Sequence, residues 1–93
     1  MVYAYVELNI TDADSFDRYK VKAGDALAKH GGSPLVSSKG SVVIEGNKEA
    51  PQIAVILSFP ELEAAHAWIN DPDLQHIHEL RQNSGDVSIV LLG

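Results

Sequence analysis

The sequence predicts an α+β domain, an antiparallel sheet with its helices on one face. Three observations carry that prediction. Residues 2–10 alternate apolar and polar side chains with the two-residue period of a strand. Residues 16–30 switch to apolar spacings of three and four, the period of a helix. Two further apolar runs, 52–59 and 87–92, flank a second helical region.

In the first strand Val2, Ala4, Val6, Leu8 and Ile10 share one side, and Tyr3, Tyr5, Glu7 and Asn9 the other. Thr11, Asp12 and Asp14 are candidates to cap the following helix, and Asp17 suits its positive end. Phe16, Tyr19, Ala23, Ala26 and Leu27 form the apolar face of that helix. Lys29 and His30 suit its negative end, and Gly31-Gly32 supplies a residue able to take positive φ at the stop. Residues 34–37 and 41–45 are expected as short strands around the turn Ser38-Lys39-Gly40. A loop follows, and residues 52–59 are the most buried strand, ended by Pro60. Residues 61–69 form the second helix, with Leu62, Ala65 and Ile69 on one face. Asn70-Asp71-Pro72 breaks and restarts it, because Asp71 can cap while Pro72 fills a first position that needs no N–H. The restarted helix is expected to bury Leu74, Ile77 and Leu80 or Arg81. Ser84-Gly85-Asp86 stops it, and residues 87–92 close the sheet. Strand–helix–strands–helix–strand is the ferredoxin-like order.

The strand patterns also predict assembly. Residues 52–59 offer Ile53, Val55, Leu57 and Phe59 to one face but Ala54 and Ile56 to the other. Residues 87–92 set Val87, Ile89 and Leu91 against Val90 and Leu92. A sheet with one wet face alternates apolar with polar, and these strands do not. Two helices cover one face only, so the expected cover of the second is the same sheet from another copy. A homodimer through the sheet face follows.

Composition narrows the classes of function. The 93 residues form one expected domain, residues 1–93, with 45% hydrophobic and 22% charged side chains. Seven basic against thirteen acidic residues give a net charge of −6. That balance disfavours nucleic acid and anionic membrane surfaces as partners. The absence of cysteine removes disulfides, thiolate metal sites and thiol catalysis. No apolar run approaches a membrane span and the N-terminus lacks a signal-peptide layout, so a cytoplasmic protein is expected.

Four pieces of sequence carry a family resemblance. They are Thr11-Asp12 followed by Phe16 and Tyr19; His30-Gly31-Gly32; Val43-Ile44-Glu45-Gly46; and Phe59-Pro60 leading through Ala64, Ala65, Trp68 and Gln75 to Leu80-Arg81. In that order and spacing the chain resembles the uncharacterised bacterial domain-of-unknown-function family thirteen-thirty. The resemblance implies the dimeric α/β-barrel superfamily, in which two ferredoxin-like sheets pack face to face. Its members include cofactor-independent monooxygenases and muconolactone isomerase-like proteins, so fold alone does not select a reaction. Family members often carry an arginine where this chain has Ser37, and an aromatic residue where it has Leu74.

Among single residues, His30 is the candidate for proton transfer, since two glycines after it allow close approach of a ligand. Its other reading is a helix-capping histidine. A catalytic partner has to come from another element, such as Glu45, Trp68 or Arg81, because Tyr19 lies about 16 Å away along the helix. Tyr19 and Trp68 are candidate walls of an apolar binding pocket, Arg81 a candidate anchor for a polar group, and Glu45 a further binding candidate. Their alternatives are core packing, a salt bridge and strand-end solvation. Glu63 and His66 share a spacing with helical di-iron sites, but Asp73 and His76 make a feeble second copy. No metal and no cofactor are therefore expected, and His76 and His78 are assigned to a solvated helix. Two functions remain open: a small-molecule binder or enzyme acting on an apolar, aromatic or carbonyl compound, and a non-catalytic dimeric module.

Overall fold

The computed structural model describes residues 1–93. The elements run β1 (Val2–Ile10), α1 (Ala13–Lys29), β2 (Ser33–Ser38), β3 (Ile53–Phe59), α2 (Leu62–Asn70), a 3-10 turn (Pro72–Leu74), α3 (Gln75–Gln82) and β4 (Gly85–Leu92). The strands make one antiparallel sheet in the order β2-β3-β1-β4, the ferredoxin-like arrangement. Val6 sits opposite Val55 on one side and Ile89 on the other, and Ala4 opposite Leu57 and Leu91. Opposed residues share a face of the sheet. That face packs with Ala26 and Leu27 of α1, Ala65 and Trp68 of α2, Leu74, and Ile77 of α3 into one core. All the helices therefore lie on one side, as the alternation requires.

Local chemistry sets the ends of α1. Of the three capping candidates Asp12 is the cap, its Oδ1 accepting from the Ser15 N–H at 3.1 Å. The helix begins at Ala13, which puts Asp14 in the first turn in place of Asp17. At the other end the Gly32 and Gly31 N–H groups donate to the Leu27 and Ala28 carbonyls at 2.9 and 3.1 Å. This is the paired closure in which the residue after the cap takes positive φ, here Gly31 at 73°. Gly32 is needed for another reason: a β-carbon there would stand 2.7 Å from the Phe59 ring. The start of α1 is tied to the end of α3, because Ser15 Oγ donates to the Leu80 carbonyl at 2.8 Å. Thr11 and Asp12 N–H both donate to the Ser84 carbonyl.

Two expectations are corrected. Residues 41–45 form no strand, and β2 pairs with β3 directly. The segment has strand-forming residues, but it pairs with no strand and leaves the outer edge of β2 open. Val42 and Ile44 are consequently 82% and 98% exposed. The loop is held at its far end, where Lys48 pairs with Glu7 and Gln52 bonds β1 through Asn9 and the Ile10 N–H. The second correction concerns α3, whose buried face is Ile77, His78 and Arg81, so His78 leaves the solvated side. The restart is as expected: Asp71 caps, accepting from the Asp73 N–H at 2.9 Å, with Pro72 behind it. No helix is long and apolar enough to cross a membrane.

Candidate functional site

A cavity of about 340 Å³ opens between α1 and the β2–β3 edge of the sheet and reaches inward to α2 and α3. Its exposed rim carries Lys20 and Gly24 from α1, with Ser37 and Lys39 opposite. The buried floor is Val6, Leu8, Ile53, Leu57, Trp68 and Arg81. Eleven of its seventeen lining residues are hydrophobic, so the polar groups are few and their identity matters.

Arg81 is the unusual one. It is 3% exposed and forms no ion pair. Its guanidinium carbon lies 5.2 Å from the centre of the Trp68 ring and 5.6 Å from that of Tyr19. Aromatic faces attract a cation, and a desolvated one more strongly than an exposed one. One guanidinium N–H donates to His78 Nδ1 at 2.9 Å. The other imidazole nitrogen, Nε2, donates to the Trp68 carbonyl at 2.9 Å. Both tautomer and charge of His78 follow, because a carbonyl only accepts and a guanidinium only donates. The ring is neutral with its proton on Nε2. Burial, first, and then the Arg81 charge push its pKa below the ordinary value, while the Trp68 carbonyl opposes them. The ring also meets Trp68 edge-on, with centroids 4.8 Å apart.

Tyr19, Trp68 and Arg81 are thus brought together, as a pocket reading of the sequence requires. His30 and Glu45 are not among the residues lining this cavity. Glu45 is exposed on the loop between β2 and β3. His30 bonds to none of the three partners named for it. Its Nε2 donates to Asp71 Oδ2 at 2.8 Å, and the same carboxylate oxygen takes Lys29 Nζ at 2.7 Å. These contacts, Lys29 first, and the Asp73 N–H hold the Asp71 carboxyl far below the usual carboxylate range. Asp71 therefore joins the end of α1 to the α2–α3 junction. Glu63 and His66 are exposed on α2.

Sequence reasoning missed His78. The signal was present: Leu74, Ile77, His78 and Arg81 recur at the three-and-four spacing of a buried helix stripe.

Over residues 1–93 the sequence matches the family described as Domain of unknown function (DUF1330). The chain belongs to that family. No curated protein matches this DUF1330 domain. Its fold is similar to that of a protein of unknown function from Rhodopseudomonas palustris, with a TM-score of 0.81 at 16% identity. The alignment covers 98% of the DUF1330 domain and 79% of that chain. A dimeric ferredoxin-like protein of unknown function from Jannaschia sp. CCS1 gives 0.66 at 19% identity, covering 99% and 97%. An antibiotic biosynthesis monooxygenase gives 0.55 at 13% identity, covering 100% and 97%. At such identities the likeness is one of fold.

Proposed function

We propose that this DUF1330 domain is a cytoplasmic homodimer whose protomers each take up a small, largely apolar compound, aromatic or carbonyl-bearing, between helices and sheet. The observation that carries the reading is Arg81, buried at an apolar cavity without an acidic partner. An interior charge is costly unless its hydrogen bonds are met, and a guest in the cavity is the group available to meet them. The volume also fits, since small-molecule sites begin at about 300 Å³. Tyr19 and Trp68 serve as walls and Arg81 as the polar anchor. Superfamily analogy favours oxygenation or isomerisation without a cofactor as the accompanying chemistry. His30 acts outside the cavity, as the clamp that seats α1 on Asp71.

Gly24 supports the reading independently. It stands inside a helix, where glycine costs about 1 kcal/mol relative to alanine. Its φ is not positive, and a β-carbon there would touch nothing within 4 Å. What its missing side chain leaves free is the rim of the cavity.

Thermal denaturation against a panel of small aromatic and carbonyl compounds tests the proposal. A compound at about 100 times its Kd adds about 2.7 kcal/mol and raises Tm by roughly 10 °C or more. Gly24→Leu is expected to stabilise the empty protein by about 0.5–1 kcal/mol and to abolish the ligand-induced shift. A panel without any shift, or a shift that Gly24→Leu leaves intact, refutes the cavity as the site.

A further inference from the structure

The groups left without partners around the cavity are of one chemical kind. Arg81 has five N–H donors, and His78 takes one. Further out, Lys20 and Lys39 line the rim. Lys20 reaches Asp17 at 3.3 Å, across solvent-exposed surface where such a pair is weak. Three of the seven basic residues line this cavity and none of the thirteen acidic ones does, in a chain of net charge −6. Donors without acceptors and positive charge without negative call for the same missing group.

We infer that the compound bound in this cavity is a small carboxylic acid in its ionised form, with its carboxylate on the Arg81 guanidinium and an aromatic or branched aliphatic body against the apolar walls. The inference rests on the cavity reading and narrows it to one substrate class. A carboxylate is planar and accepts two parallel N–H bonds, which matches the edge of a guanidinium. A neutral carbonyl accepts from one direction and leaves the buried charge uncompensated. His78 is the positioning residue: being neutral, it steadies the guanidinium by accepting from it without cancelling its charge. Lys20 and Lys39 give an approaching anion a favourable potential at the mouth.

Trp68 is the only tryptophan, so its fluorescence reports occupancy of the cavity directly. The experiment titrates the protein with phenylacetate, 3-phenylpropanoate and 4-methylpentanoate, each beside its primary amide. At least one acid is expected to bind about ten- to a hundredfold more tightly than its amide, the range of a charge-assisted hydrogen bond. Arg81→Met, which keeps the length of the stem, is expected to remove that margin and leave the amide within about threefold. Amides that bind as well as their acids overturn the carboxylate assignment and leave the cavity reading standing. A panel in which neither acid nor amide binds overturns both. Should Arg81→Met fail to fold, the acid–amide comparison in the unaltered protein still decides.

Discussion

His78 has both ring nitrogens engaged, one as donor and one as acceptor, and only the neutral ring can do both. A pH dependence follows. In the unfolded chain an imidazole titrates near 6.5, and burial lowers that value in the folded protein. As pH falls the unfolded chain therefore takes up the proton first. The contribution of His78 is complete above about 6.5 and is lost progressively below it, levelling off under the folded value. The urea midpoint should drop between about pH 7.5 and about pH 5.5, and His78→Gln should flatten that slope while lowering the midpoint throughout. Asp71 acts in a lower window, because its folded pKa is depressed: its contribution is present above about 3.8 and disappears as pH falls toward the folded value. At Gly32 the constraint is steric. A methyl group there meets the Phe59 ring and the Leu27 side chain, so Gly32→Ala should cost about 1–3 kcal/mol in chemical denaturation.

The ends of the helices show what the sequence could and could not reveal about elements. Asp71-Pro72-Asp73 reads as a cap because the cap is written in three adjacent residues. Its pairing with His30 joins positions 41 apart, and no local pattern encodes such a contact. Replacing His30 with alanine should lower Tm by loosening α1 from Asp71, with ligand affinity unchanged. A loss of affinity with an unaltered Tm contradicts the clamp. The strand expected at residues 41–45 failed for a related reason. Residue type reports how readily a segment extends, whereas a strand exists only where the chain lays that segment alongside a neighbour. The gathering of Tyr19, Trp68 and Arg81 was readable as residue chemistry, and their convergence came from packing α1, α2 and α3 on one face. His78 was hidden by its polarity, though its spacing belonged to the core stripe.

For the whole molecule, the open face of the sheet is the surface on which the proposed assembly rests. Register aligns Val36, Ile56, Tyr5 and Val90 in one row across all four strands on the side away from the helices. Val90 and Leu92 remain 53% and 54% exposed. Facing a second copy is the proposed fate of this row, so light scattering at micromolar concentration should give about twice 10.0 kDa. Val90→Asp, which buries a carboxylate in that contact at a cost of several kcal/mol, should yield monomers or unfolded chain. An unaltered protein that stays a folded monomer rules the dimer out. The same register has a consequence for synthesis of the chain. β1 is the first of the four strands in the chain yet lies between β3 and β4, and its Tyr3 pairs with Leu92. Until β4 has left the ribosome, one edge of the first-made strand stays open, with its backbone groups available to any passing strand. The last strand of the sheet to be made therefore completes the first, and chains that terminate before β4 should be captured by chaperones or aggregate.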